Sequence, residues 1–504
     1  MPVDFDPYAV LGVPNNATLD EIRDAYRRAA RRLHPDKQQG NPGAAAQFTD
    51  ITAAYNLLLS PSERFAYDEE ARKRPADALT FSLRVTPSKR NLLPLTEPQV
   101  VYMLAEILPD PRAKEMQEEL RQQTHVNLTL VLDKSNSMSG RRIERVQRAA
   151  LKIIDHLSPQ DILSVVAFND HADVIIPATM VTDKPSLKAR ITMLKPFGGT
   201  EIYRGLSAGV EQNRKFLAPR LVNHVIMLTD GNTYGDQDRC ISLAQQVTQQ
   251  GIGISALGLG DEWNDKFLDQ LASVTGGTSS YIKSSGAVVS FLDQHVRSLS
   301  NVFAERLSIS VAPDIGVKLE SAFKLTPHPQ SLPANEGVIP LGALQINLTT
   351  SILLQFELPA NMAEGYRSIA RMVAAGDILA NDQRRFQALS DISLGINSDP
   401  PKEETPPAIL EALGRLTLYR MQERAQDALE EGDFIEATSR LEKLATRLFQ
   451  LGEPELAEQV RTNARQVAST QTLSSEGRKT LKYHTRNLLG GSSSGDADET
   501  DDDD

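Results

Sequence analysis

From Asp20 to Leu33, apolar residues recur at Ile22, Tyr26, Ala29 and Leu33, a helical spacing that predicts one buried stripe. Arg27, Arg28, Arg31 and Arg32 fall off that stripe. Asp20, Glu21 and Asp24 lie in the first turns and Arg31 and Arg32 in the last, an order that suits the helix dipole at both ends. Pro35 then stops the helix, because a proline biases the residue before it, His34, away from helical angles and fixes its own φ. The segment His34, Pro35, Asp36 is therefore expected to be a rigid, exposed corner. A second helix is predicted from about Ala44 to Leu59, with Phe48, Ile51, Tyr55 and Leu58 facing the first. Ser60 and Pro61 open a short third one that carries Arg64, Tyr67 and Asp68.

From Asn127 the pattern changes. "NLTLVLD" reads as a buried strand, followed by a helix from about Arg141 to Leu157. Further strands are expected at "ILSVVAF", "ADVII", "HVIMLTD" and "GISALGLG", with helices at Ile202 to Phe216 and Asp238 to Gln250. Strand alternating with helix predicts a doubly wound, Rossmann-like α/β unit over residues 125–300, its mainly parallel sheet covered on both faces and its ligands bound at the carboxyl ends of the strands. "TFSLRVTPSK" and "EPQVVYMLAEIL" precede this unit, and "RLSISVAP", "GVKLESAFKL", "GVIPLGAL" and "TSILLQFELP" follow it. Each group is too short for a sound sheet of its own. Residues 78–124 and 302–397 are therefore expected to form one discontinuous β sandwich with the α/β unit inserted. "SDPPKEETPP", 398–407, is a stiff polar linker, and 408–489 is helical, with turns at "EEGD" and "LGEPE". One stretch there is loosely similar to a tetratricopeptide hairpin, but such repeats need stacked neighbours, so a plain helical bundle is expected. The acidic end, 490–504, has the composition of a disordered tail.

A chain of 504 residues is too long for a single core, which agrees with several domains. No apolar run approaches the ~18 residues a membrane span needs, and no basic segment leading into an apolar stretch opens the chain. A cytoplasmic protein without membrane attachment is expected. The net charge of −12 argues against nucleic acid as a partner, though a local basic patch remains free to select an acidic protein. Cys240 is the only cysteine, which excludes an internal disulfide and multi-cysteine zinc sites; a buried, inert thiol is expected. There is no GxxxxGK loop, no nucleophile elbow and no close histidine pair, and "GLGDEW" lacks the third glycine of a dinucleotide site. The chain is not expected to be an enzyme.

"DPYAVLGV", "IRDAYRRAARRLHPDK" and "FTDITAAYNLLLSPSERFAYD", in this order, resemble an all-α J domain, covering residues 5–72. The resemblance implies a seventy-kilodalton heat-shock chaperone as partner. His34, Pro35 and Asp36 would trigger its ATP hydrolysis, while Arg27, Arg28 and their neighbour Arg31 dock on its acidic surface. Clustered guanidinium groups suit that task by steering an acidic partner. Leu33 stands where the family usually has a polar aromatic, a change expected to affect packing alone. No glycine-phenylalanine linker and no paired cysteines follow, so client recognition falls to another part of the chain.

That part is suggested by polar groups at the predicted strand ends. Asp133, Ser135 and Ser137 share one loop, Thr200 follows "FGG", and Asp230 ends "VIMLTD". Two carboxylates and three hydroxyls, with no nitrogen or sulfur donor, suit a hard cation such as Mg²⁺ or Mn²⁺, with an open position that a partner's carboxylate fills. The set resembles the metal-ion-dependent adhesion site of von Willebrand factor A domains, and the likeness covers about residues 125–300. In that family two serines and a threonine, here Ser135, Ser137 and Thr200, touch the ion directly, while aspartates, here Asp133 and Asp230, act largely through water. Asn136 stands where glycine is usual, which is tolerable because asparagine enters left-handed conformations. The expectation is a co-chaperone whose A domain binds an unknown client or ligand. The alternative is a Mg²⁺-dependent scaffold, or adaptor of an AAA-type ATPase, in which the J domain only anchors.

Overall fold

Two short strands and one long one formed ahead of the α/β unit are completed by strands formed after it. The computed structural model describes residues 5–38, 40–72, 78–218, 221–231, 235–260, 263–282, 285–380 and 385–490. The expected acidic tail lies outside the described residues, except Gly490, which closes the last helix.

The N-terminal helices are α1 (Pro7–Leu11), α2 (Leu19–Leu33), α3 (Pro42–Leu59) and α4 (Pro61–Arg72). Thr18 and Glu21 cap α2 reciprocally, satisfying amides that the helix itself leaves free. Ile22, Leu33, Ile51 and Leu58 are buried between the helices, with Tyr26 stacked on Tyr55 at 4.1 Å between ring centroids. Leu33 is fully inside.

Next come β1 (Phe81–Pro87), β2 (Asn91–Leu92), β3 (Gln99–Pro109), α5 (Pro111–Glu115) and α6 (Gln117–Gln123). The α/β unit contains β4 (His125–Asp133), α7 (Arg141–His156), β5 (Ile162–Phe168), β6 (Ala172–Met180), α8 (Lys184–Thr192), α9 (Ile202–Asn213), β7 (Leu221–Thr229), α10 (Gln237–Thr248), β8 (Ile252–Leu259), α11 (Asp265–Val274), β9 (Ser279–Ile282) and α12 (Ser285–Leu299). After it run β10 (Val302–Pro313), β11 (Lys318–Thr326), β12 (Gln330–Leu332), β13 (Ile339–Gln345), β14 (Thr350–Leu358), β15 (Gly365–Ile378) and β16 (Phe386–Ile396). The chain ends in α13 (Pro407–Glu430), α14 (Phe434–Gln450), α15 (Pro454–Thr470) and α16 (Ser475–Gly490).

The α/β sheet has the order β6-β5-β4-β7-β8-β9, parallel throughout except for the antiparallel edge strand β6. Chain order reverses between β4 and β7, and such a switch point opens a crevice beyond the strand ends. Apolar residues of α7, α8 and α12 cover one face, those of α9, α10 and α11 the other. Cys240 is buried in the second layer, and burial drives its thiol pKa far up, so it is inert at neutral pH.

Two five-stranded sheets, β1-β3-β14-β11-β12 and β13-β10-β15-β16-β2, enclose one core that includes Phe81, Met103, Phe356 and Met372. β3 is hydrogen-bonded on one side to β1 and on the other to β14, from Thr350↔Ile107 to Leu358↔Gln99. β15 and β16 have no clear period-two pattern. "GYRSIARMVAAGDI" is rich in alanine and glycine, weak strand formers, and most of β16 is only half-buried, so register with neighbours stabilises both rather than their own propensity.

Both outer faces of this sandwich are occupied. Leu104, Phe323, Leu325 and Leu353 pack against α13, where Phe323 and Tyr419 lie 4.6 Å apart between centroids. On the other sheet α3 seats on β10, and Ala312 completes the core of the N-terminal helices. The fit leaves no room: a Cβ on Gly43 would sit 1.9 Å from the Val311 carbonyl oxygen. The Gln47 amide donates to Ser310 O, Ser310 Oγ and Arg371 O at 3.3, 3.1 and 3.2 Å. The linker is tied down as well, since Glu403 accepts from the Arg90 amide at 2.9 Å.

Candidate functional sites

The first site is the corner after α2. His34 leaves the helix with φ −60° and ψ 130°, and its carbonyl accepts from the amides of Lys37 and Gln38, both at 3.0 Å. Its ring stands edge-on to Phe48 at 5.5 Å, and Nδ1 accepts the Asp36 amide at 3.2 Å. With the ring held, the Asp36 side chain projects at 87% exposure. Arg27, Arg28 and Arg31 are exposed on α2; Arg27 pairs with Asp24 at 2.8 Å, while Arg28 and Arg31 make no ion pair among the described residues. Arg32 is different: it points to the sandwich. Gln38 and Asn41 each donate to Pro313 O at 3.2 Å, so docking holds the far end of the corner and leaves its carboxylate, 3.6 Å from His34 Nδ1, exposed to solvent.

The second site lies at the switch point, where β4 and β7 end side by side. Asp133 closes β4; its Oδ1 accepts the Ser135 amide at 2.8 Å and its Oδ2 the Thr229 hydroxyl at 2.6 Å. Ser135 Oγ and Ser137 Oγ are 2.9 Å apart, and Ser137 Oγ donates to Asp230 Oδ1 at 2.7 Å. Thr200 stands beside the next residue, since a Cβ on Gly231 would lie 3.2 Å from its Oγ1. Its loop is fixed by Asn136 N donating to Gly198 O at 3.0 Å and Phe197 N to Lys134 O at 2.8 Å. All five residues singled out from sequence are thus gathered at one end of the sheet. Burial lifts the Asp133 carboxyl to about 6; hydrogen bonds from Thr229 and Ser135 oppose the rise, and the Asp230 charge adds to it.

Two contributors were not anticipated. Thr229 orients Asp133, and its only trace in sequence is a polar residue inside an apolar strand. Arg142 Nη1 donates to Asp230 Oδ2 at 2.5 Å and to Ser137 O at 3.1 Å. Its trace is a cation in the first turn of a helix, where the dipole disfavours one unless an acid is near.

Among the described residues no three histidine, cysteine, aspartate or glutamate side chains are placed to hold a metal, so a cation here would depend on hydroxyl oxygens. The donor set fits that demand. Ser135, Ser137 and Thr200 offer neutral oxygens, and two carboxylates, one of them reluctant to ionise alone, offer the charge that a divalent ion would offset.

These features define a J-domain protein carrying a von Willebrand factor A domain. Residues 6–68 match the DnaJ domain family, 127–294 the von Willebrand factor type A domain family, and 407–491 the Sll0103-like, C-terminal alpha-helical domain family. The chain belongs to the family of the uncharacterized protein sll0103 of Synechocystis sp., with 31% identity over 374 residues, 72% of this chain and 88% of that protein. The chain is also similar, over 12% of its length, to chaperone proteins: 51% over 63 residues with dnaJ 39 of Arabidopsis thaliana and 54% over 63 residues with DnaJ of Tropheryma whipplei, spanning 15% and 17% of those proteins. The fold is shared with a von Willebrand factor type A protein from Catenulispora acidiphila, at a TM-score of 0.65, 16% identity, 82% of this chain and 98% of that one. The chain therefore joins a co-chaperone module of the seventy-kilodalton heat-shock type to an A-type protein-interaction domain. No helix among the described residues is long and apolar enough to cross a membrane.

Proposed function

We propose that this protein is a non-enzymatic, cytoplasmic co-chaperone that brings a protein held by its A domain to a seventy-kilodalton heat-shock chaperone. The observation that carries the reading is the shared frame. The J domain seats on the same sandwich into which the A domain is set, with Asp36, Arg27, Arg28 and Arg31 facing outward. A captured protein would then lie at a defined position relative to the chaperone rather than on a loose tether, which raises its effective concentration. The same exposure favours an active J domain over one that only anchors.

At the switch point Asp133, Ser135, Ser137, Thr200 and Asp230 would hold Mg²⁺ or Mn²⁺, and the ion would supply Lewis acidity for a partner's carboxylate. Ser137 and Ser135 would turn their lone pairs toward it, and Asp230 would exchange part of its contact with Arg142 for it. Phe197, 55% exposed on the adjoining loop, offers an apolar rim for the partner.

The test is ATPase stimulation of the cognate chaperone by wild type and Asp36→Asn, paired with capture of partners with and without chelator. Asp36→Asn should fold normally and lose stimulation. Stimulation equal to wild type would overturn the co-chaperone reading, and chelator-insensitive capture would overturn the metal.

A further inference from the structure

The A domain and the sandwich line a cavity of about 490 Å³, partly open to solvent, at the end of the A-domain sheet remote from Asp133 and Asp230. His224, near the start of β7, Ser255 of β8 and His295 of α12 line it on one side, and Glu305, Lys324 and His328 on the other. We propose that this cavity binds a small organic carboxylate, with the Lys324 ammonium as its counter-ion.

Lys324 is the observation that asks for a ligand. On β11 its neighbours Phe323 and Leu325 face the helical domain, so Lys324 points to the opposite, interior side, where a strand of this pattern places an apolar residue. It is 2% exposed, and its Nζ donates to Leu341 O at 2.8 Å; no carboxylate pairs with it among the described residues. A buried ammonium without a counter-ion is costly, and an anion entering from the cavity would offset that cost. Burial lowers the Lys324 pKa to about 8, which still leaves the amine mostly charged at neutral pH.

The surrounding groups select the kind of anion. His224 Nε2 lies 2.9 Å from Ser255 Oγ and 3.3 Å from His295 Nε2, so one ring donates to the other. Burial lowers the pKa of His295 to about 4 and that of His224 well below the usual range, so these two rings are neutral. The His328 ring is accessible and lines the cavity. Arg306 is already paired with Asp377. Glu305 and Glu336 also line the cavity, with burial raising both carboxyl pKa values, and Arg385 reaches it beside Ser308. Lys324 is the buried ammonium of the site, and one ammonium balances a monoanion, whereas a phosphate dianion is usually met by several charges or a nest of backbone amides. Val222, Leu299 and Val338 supply apolar wall for an organic body, and the volume falls within the ~300–1,000 Å³ range of small-molecule sites. Such a ligand would touch both domains and fix one against the other.

The test is calorimetric titration of the full chain with acetate, hexanoate, benzoate and inorganic phosphate. Hexanoate or benzoate should bind saturably and more tightly than phosphate, and Lys324→Met should weaken binding by about tenfold or more. His328→Gln, at an exposed residue, should weaken it several-fold by roughly the loss of one donor. No binding of any carboxylate at millimolar concentration, equal binding by wild type and both variants, or tighter binding of phosphate than of every carboxylate would overturn the proposal.

Discussion

Arg32 Nη2 lies 2.5 Å from Asp391 Oδ1, joining the J domain to a strand 359 residues further along the chain. Burial acts to raise the Asp391 pKa, but Arg371 and Arg32 outweigh it and hold the carboxyl below its usual value. Because the pair is partly exposed it contributes only ~0–1 kcal/mol. The Gln47 amide is buried with three acceptors, and losing it leaves groups unsatisfied at ~1–3 kcal/mol. Gln47→Ala should therefore speed hydrogen exchange along α3 more than Asp391→Ala does. Mass-spectrometric exchange checks this, and the opposite ranking would assign the docking to charge rather than to the buried amide.

Binding of Mg²⁺ at the switch point would stabilise the A domain by mass action, about 2.7 kcal/mol at a hundredfold excess over Kd. Scanning calorimetry should show a higher A-domain Tm with Mg²⁺ and a lower one with EDTA. Asp133→Ala should abolish the difference without changing chaperone stimulation. Arg142→Gln should tighten Mg²⁺ binding several-fold, roughly as expected for removing a neighbouring cation. A Tm indifferent to Mg²⁺ and Mn²⁺ would argue for a passive A domain.

On the other face of the A domain, α16 is clamped by buried charges. Lys482 Nζ lies 2.5 Å from Asp265 and 2.7 Å from Asp269, and Arg486 lies 2.8 Å from Asp269. Burial acts to raise the Asp269 pKa, but Arg486 and Lys482 bring it down to about 2. Asp269→Ala would strand the buried Arg486 guanidinium and leave Lys482 with Asp265 alone, at a cost of ~3–5 kcal/mol. The chain's single tryptophan reports the outcome, because Lys479 Nζ sits 4.4 Å from the Trp263 ring centre. Trp263 emission should shift to the red in the variant at a denaturant concentration that leaves wild type unchanged.

Lys324 makes a prediction about pH that needs no ligand. Its pKa falls from an ordinary value of ~10.4 to about 8, so between those values the unfolded chain holds a proton that the folded one has released. Its contribution to stability thus rises with pH across that window, and below pH 8 the full penalty, on the order of 3 kcal/mol, remains. The cavity groups His224, His295, His328, Glu305, Glu336, Arg306 and Arg385 are common to wild type and Lys324→Met, so the difference between the two reports the amine together with its effect on neighbouring His328. Lys324→Met should be the more stable at pH 7, with the gap narrowing toward pH 10. Chemical denaturation at both values measures it.

Local spacing made much of this protein readable. Ile22 and Leu33 mark the buried side of α2 because a helix returns its side chains to one face every three or four residues, and Pro35 ends it for a steric reason internal to the chain. Asp133, Ser135, Ser137, Thr200 and Asp230 could be named because strand ends in alternating α/β segments fall on one edge. Thr229 and Arg142 were not legible, since nothing local says that a given hydroxyl or guanidinium will meet an acid about ninety residues away, as their bonds to Asp133 and Asp230 do.

By itself, then, the sequence determined the helical J module with its corner at His34, the α/β alternation, and the all-oxygen character of the residues at its strand ends. Only the tertiary structure decided that β3 lies between β1 and β14, that α3 seats on β10 through Gly43 and Gln47, and that Lys324 faces a cavity shared by two domains. The reason is physical. Periodicity tells which face of an element is buried, while the choice of what buries it depends on the packing of surfaces far apart in the chain, each contact made only after the entropy of closing a long loop has been overcome.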